Sequence, residues 1–234
     1  MVEHSVESRT TPARIVELES DVAETVRVVL EVEDNQFSFL AGQWLNLGVQ
    51  LDGELRVGGY SFASAPGILP RFELGIRDSE RNPVSRYFHR GAKVGAEVVV
   101  DGGHGPCFYH PDEDIDLVLV AGGIGLTPML SIARAFQASA SQRTLRLFYS
   151  ASMQRGFAFR DAVLSLESDA RMKVELIETG TDAQGRMDVA SLAELNNGKT
   201  AYYLCGPTGM VDQLSVGLAL EGIPEGHIRF EKWW

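Results

Sequence analysis

Cysteine is scarce in this chain: Cys107 and Cys205 are the only two in 234 residues. That excludes a disulfide scaffold, a four-cysteine zinc site and a self-contained iron–sulfur cluster. Long apolar runs are also missing. None approaches the ~20 residues a membrane helix needs, so no membrane span is expected. The opening stretch MVEHSVESRTTP has no apolar h-region, so no secretory signal is visible. The expected location is cytoplasmic, or an organelle matrix if a transit peptide has been removed. Basic residues are outnumbered, with 21 Lys and Arg against 32 Asp and Glu and a net charge of −11. No nucleic-acid partner is expected from such a balance.

The length fits one large domain or two small ones. Against the acidic background one segment stands out. Residues 77–93 hold Arg77, Arg81, Arg86, Arg90 and Lys93 against only Asp78 and Glu80. On charge alone this is either a solvated positive face or a phosphate site.

The two halves have different grammars. In the first, ARIVELES, ETVRVVLEVE, WLNLGVQL, ELRVGGYSF, RFELGIR and AEVVVDG are short and rich in Val, Leu, Ile and aromatics, with turn residues between them. Six such strands in about 90 residues predict an antiparallel β-barrel. Between the last two, Asn82 followed by Pro83 predicts a capped helix over residues 83–90. The second half alternates strand and helix, which predicts a parallel sheet with helices on both faces. Its first strand, 115–121, is continuously apolar, as a strand buried on both faces requires. The expected organisation is a polar tail at 1–12, a barrel domain at 13–110 and an α/β domain at 111–234.

After strand 115–121 comes Gly122-Gly123-Ile124-Gly125-Leu126-Thr127-Pro128. Glycines there permit either a plain tight turn or close approach of a diphosphate to the backbone. The following helix adds free N–H groups and a positive dipole end. Thr127 is expected to cap that helix, with Pro128 at its first position. Cys205-Gly206-Pro207 repeats the pattern after a later strand. Cys205 reads either as a thiol at the lip of the same cleft or as a small buried strand residue.

The ordered strings RVGGYSFAS, NPVSRYF, AGGIGLTPM, YLCGPTGM and FEKWW resemble the ferredoxin–NADP⁺ reductase superfamily. Within it, they resemble the short oxidoreductase NAD-binding domain-containing proteins. The resemblance implies an FAD-binding barrel, a domain for NAD(P)H, and electron transfer to an unidentified protein or small-molecule acceptor. It places Tyr60 against the flavin ring, Ser61 near the flavin nitrogen that receives hydride, and Ser64 at a second small polar position. The family's R-x-Y-S signature puts arginine at position 58, which here is Gly58. Arg56, Arg77, Arg81 and Arg86 are the candidates to replace that charge. The resemblance also puts the flavin diphosphate on Pro83, Val84 and Ser85. Gly122, Gly123, Gly125 and Thr127 take the dinucleotide diphosphate, and Cys205, Gly206 and Pro207 flank the nicotinamide. Glu231 is implied as a proton-handling carboxylate, with Trp233 or Trp234 covering the flavin. Ser61, Glu231 and Cys205 are thus the expected catalytic residues. No arginine stands at Thr179-Gly180, which leaves Arg155 and Arg186 as 2′-phosphate candidates and favours NAD. Two other readings stay open: a free-flavin reductase, or a non-catalytic module that keeps the fold.

Overall fold

The computed structural model describes residues 10–22, 24–34, 36–180 and 187–233, without the side chain of Trp233. The first half forms six strands: β1 (Thr11–Ser20), β2 (Thr25–Val32), β3 (Trp44–Leu51), β4 (Glu54–Ser61), β5 (Arg71–Arg77) and β6 (Glu97–His104). They make one antiparallel sheet in the order β4-β3-β6-β1-β2-β5. A bridge from Phe62 to Leu74 brings the end of β4 to β5 and curls the sheet toward closure. Alternation turns Val28, Leu30, Leu45, Leu47, Leu74 and Ile76 inward, and Phe39 stacks on Phe62 within this core. β1 begins at Thr11, inside the segment expected to be a tail.

Helix α1 (Pro83–Arg90) lies where Asn82 and Pro83 predict it. Pro83 has no N–H to leave orphaned, and the Asn82 side chain accepts from the N–H groups of Val84 and Ser85.

The second half builds a five-stranded parallel sheet from β7 (Asp116–Gly122), β8 (Leu145–Ser152), β9 (Met172–Thr179), β10 (Thr200–Pro207) and β11 (Ile228–Trp233). Its order is β11-β10-β7-β8-β9. Helices α2 (Leu126–Gln137), α3 (Arg160–Ser165), α4 (Val189–Ala193) and α5 (Thr208–Leu220) complete it. Leu117, Leu119 and Ala121 face the cluster containing α2 and α3. Val118 and Val120 face the one containing α4 and α5. Both faces are therefore covered, which accounts for the uninterrupted apolar run in β7.

The chain leaves β7 toward β8 on one side and reaches β10 on the other. The C-terminal ends of β7 and β10 are thus neighbours at the point where strand order reverses, the usual place for a ligand crevice in an open α/β sheet. Gly75 of β5 lets the two halves approach there. A Cβ at that position would lie 2.7 Å from Thr127 and 2.7 Å from Phe159.

No helix among the described residues is long and apolar enough to cross a membrane. No group of His, Cys, Asp or Glu among them could hold a metal ion.

Candidate functional site

The three glycines after β7 do different work. A Cβ on Gly125 would lie 2.5 Å from the Cys205 carbonyl oxygen, and one on Gly122 would lie 2.8 Å from Pro207. Gly125 lets the β7 and β10 turns pack backbone against backbone, and Gly122 makes room for the Pro207 and Met210 side chains. Gly206 joins the same contact, since its Cβ would meet the Gly122 backbone at 3.0 Å. Gly123 is different. It takes a left-handed φ of +55°, and a Cβ there would meet only the Arg77 guanidinium, at 3.8 Å. Gly123 is therefore the glycine whose backbone is open to a ligand.

That opening leads into a cavity of about 550 Å³ lined by Gly122, Gly123, Ile124, Ser150, Pro207 and Met210 on one side, and by Val22, Thr25 and Arg77 from the barrel. Its far end is formed by Ser152, Arg155, Thr179 and Gly180. Burial lowers the pKa of the Arg77 guanidinium, Arg155 adds repulsion, and Glu24 partly compensates. A half-buried cation facing a glycine turn, beside a second cation, suits an anionic group. Arg155 is ion-paired with Glu24 at 3.0 Å. Arg77, a candidate for the flavin phosphates on sequence grounds, thus lines the cavity beside the Gly122–Gly125 turn.

The barrel supplies a second wall. Gly58 and Tyr60 share one face of β4, and Tyr60 is half-buried with its hydroxyl oxygen enclosed. A Cβ at position 58 would lie 3.0 Å from the Tyr60 hydroxyl and 3.0 Å from the Asn82 amide nitrogen, so the ring fits only over glycine or a yielding neighbour. Burial pushes the Tyr60 hydroxyl pKa up, with contact to Asn82 acting against it. Ser61 is buried and pairs across the sheet with Trp44. Glu231 comes to the same place from β11: a Cβ on Gly105 would sit 2.9 Å from Trp44 Nε1 and 3.0 Å from Glu231 Oε1. His104 stacks obliquely on Trp44 at 4.9 Å and lies 3.5 Å from Asp101. Trp44, His104 and Gly105 were not legible as site residues, because nothing local marks a strand end that meets another domain's last strand.

Several expectations are corrected. The Cys205 thiol is not at the lip of the cleft. It is fully buried beside Ala121 and Tyr203, and burial, then the Glu231 carboxylate, raise its pKa well above the ordinary 9.0. Only its backbone reaches the turn. Ser64 is 1% exposed and belongs to the junction between the halves. Its hydroxyl accepts from Glu73 N at 3.0 Å, and its carbonyl accepts from Ser131 at 2.6 Å. Thr127 does not cap α2, because a 3₁₀ turn at Gly123–Gly125 runs straight into a helix that starts at Leu126. The Thr127 hydroxyl donates to Ile124 O at 3.0 Å instead. The N–H groups of Val84 and Ser85 are not free, being held by Asn82 Oδ1 at 2.9 and 3.3 Å. The Ser85 hydroxyl is likewise engaged, with Ser79 and Asn82. Arg56 is on the surface, ion-paired with Glu54. Trp233 pairs with Pro207 through its backbone. Trp234 and Arg186 lie outside the described residues.

A barrel with an α/β crevice at its edge defines the class of flavin- and nicotinamide-binding reductase folds. A family model described as oxidoreductase FAD-binding domain matches residues 13–109, and one described as oxidoreductase NAD-binding domain matches residues 119–215. Human oxidoreductase NAD-binding domain-containing protein 1 is 32% identical over 245 residues, 92% of this chain and 77% of that protein. Ferredoxin–NADP reductase B of Sorangium cellulosum is 30% identical over 211 residues, 84% of this chain and 86% of that protein. A ferredoxin NADP⁺ reductase from Neisseria gonorrhoeae, solved with bound FAD and NADP, superposes with a TM-score of 0.82 at 20% identity. The match covers 97% of this chain and all of that one. The chain belongs to the oxidoreductase NAD-binding domain-containing protein 1 family, within the ferredoxin–NADP⁺ reductase superfamily.

The residues fit both nucleotides, unequally. Gly123 and Arg77 make a cradle that a side chain at 123 would fill, as a dinucleotide diphosphate requires. Tyr60, with its enclosed hydroxyl, together with Ser61, Trp44 and Glu231 suits a planar polar ring. At the start of α1, the donors a flavin diphosphate would use are engaged within the protein.

Proposed function

We propose that the protein is a flavin-dependent NAD(P)H oxidoreductase that passes reducing equivalents from NAD(P)H, by way of bound FAD, to a separate protein or small-molecule acceptor. The observation that carries this reading is the crevice at the ends of β7 and β10, with Gly123 on one wall and the half-buried Arg77 on the other. There Gly122–Thr127, the N-terminal end of α2 and Arg77 would hold the dinucleotide diphosphate. Gly206 and Pro207 would flank the nicotinamide, the Cys205 thiol being buried away from the crevice.

Bound flavin supplies the two-electron acceptor that can later release electrons singly or in pairs. The chain's own residues position and protect. Tyr60 and the Ser61 hydroxyl would hold the ring. Glu231, which reaches the Gly105 turn beside Trp44, would be the carboxylate that hands on a proton there. Backbone pairing of Trp233 with Pro207 brings the end of the last strand beside the Gly206–Pro207 turn, where it would border a bound nicotinamide.

NADH is the expected donor. Arg155 is held by Glu24, and Thr179-Gly180 offers no cation to a 2′-phosphate. Anaerobic titration of the purified, FAD-loaded protein tests the proposal. Bleaching of the flavin band near ~450 nm by one equivalent of NADH is expected. An unchanged spectrum with both NADH and NADPH would rule out the enzyme in favour of a non-catalytic module.

A further inference from the structure

We infer that this chain selects flavin by its ring and not by its diphosphate, so that FAD, FMN and riboflavin bind with similar affinity and exchange with solution. This rests on the reading above that the flavin ring lies at Tyr60.

The argument starts at the α1 N-terminus. A helix start holds a phosphate through the N–H groups of its first turn. Here the first residue, Pro83, has none, and the next two N–H groups both point at Asn82 Oδ1, at 2.9 and 3.3 Å. The amide oxygen of Asn82 therefore stands where a phosphate oxygen would. The remaining donor, the Ser85 hydroxyl, is 3.2 Å from Ser79 O and 3.1 Å from Asn82 O, and it accepts from Ser79 N at 3.0 Å. A diphosphate would have to break these bonds before making its own, so the exchange yields little.

The surrounding charge gives no compensation. Arg56 is ion-paired with Glu54, and Arg90 lies 4.0 Å from Asp78. Arg77 faces Gly123 in the other cavity. Arg81 and Arg86 are exposed, where water and salt weaken them. Gly58 and Asn82 also act together. A Cβ at 58 would lie 3.0 Å from the Asn82 amide, so the small residue on β4 makes room for the capping side chain. Glycine at 58 supplies no cation and the Asn82 amide fills the anion position, while Tyr60 and Ser61 still offer a wall to the ring.

The test is equilibrium titration of the full chain with FAD, FMN and riboflavin, read by quenching of flavin fluorescence, without any nicotinamide. The expected dissociation constants of the three flavins lie within about fivefold of one another. Asn82→Gly should tighten FAD relative to riboflavin at least tenfold, the riboflavin value reporting any change at the Tyr60 wall that Asn82 touches. Tyr60→Ala should weaken all three alike. FAD binding more than a hundredfold tighter than riboflavin in the unaltered protein would overturn the inference and leave the flavin site standing. If none of the three bound, the flavin site itself would be wrong, and the inference with it.

Discussion

Arg134 of α2 donates to the carboxylate of Glu73 on β5, joining the helix that follows the Gly122–Gly125 turn to the barrel. Glu73 is 5% exposed and also accepts from Arg27. Arg134 makes a second bond to Ala63 O at 2.9 Å, and Ser131, one turn earlier, donates to Ser64 O. The segment after Tyr60 and the helix after Gly125 are thus tied at three points in a mostly buried junction. Removing one partner leaves a buried charge undercompensated, which typically costs about 3–5 kcal/mol.

Because Arg27 still faces Glu73, and Arg134 is partly exposed, Arg134→Ala should cost less than that full penalty, about 2 kcal/mol. A shift of the urea midpoint with unchanged slope measures it. A loss below ~0.5 kcal/mol would mean the junction does not depend on this charge.

The glycines separate packing from ligand contact. Gly125→Ala drives a Cβ to 2.5 Å from a backbone oxygen that cannot rotate away, so the melting temperature should fall by several degrees. Gly123→Asn places a residue tolerant of left-handed φ where the side chain meets only the cavity. It should keep the melting temperature and weaken NADH binding about tenfold. Equal effects of the two substitutions on folding would contradict this division.

Much of this is legible in the sequence, and what is not shares a cause. The alternation in β2, the unbroken apolar run of β7 and the Asn82–Pro83 start of α1 are local patterns with local causes, and each element formed where its pattern lay. The surroundings of Ser64, Cys205 and Arg77 are not legible in the sequence because they are set by contacts far along the chain. Ser64 bonds to Ser131, 67 positions away, and Arg77 meets a glycine of the other half. Glu73 and Arg134 gave no sequence signal at all, since a lone charge in a strand or helix normally faces water.

Arg77 and Arg155 make separable predictions. Arg77→Ala should weaken NADH about tenfold, roughly 1.4 kcal/mol, without changing flavin affinity. Calorimetric titration with each nucleotide decides it, and a loss confined to flavin would return Arg77 to the barrel site. Glu24→Gln releases Arg155 from its 3.0 Å ion pair. It should narrow the preference for NADH over NADPH about tenfold in steady-state kcat/KM. An unchanged ratio would mean Arg155 does not reach the 2′-phosphate position.

The two cysteines should make the fold sensitive to alkali. Burial, then the Glu231 carboxylate, push the Cys107 thiol up to about 12 and Cys205 well above its ordinary 9.0. Above pH 9 the unfolded thiols lose protons that the folded ones keep. Unfolding then releases protons, so stability falls as pH rises from about 9 toward 12. Each thiol contributes about 1.4 kcal/mol per pH unit in that window and nothing below it. Urea unfolding should therefore show a plateau below pH 8.5 and a loss on the order of 2–3 kcal/mol by pH 10. Replacing both cysteines with alanine should flatten that slope. A slope unchanged by the double replacement would assign the alkaline loss to other groups, such as the buried Tyr203 hydroxyl, also pushed up to about 12.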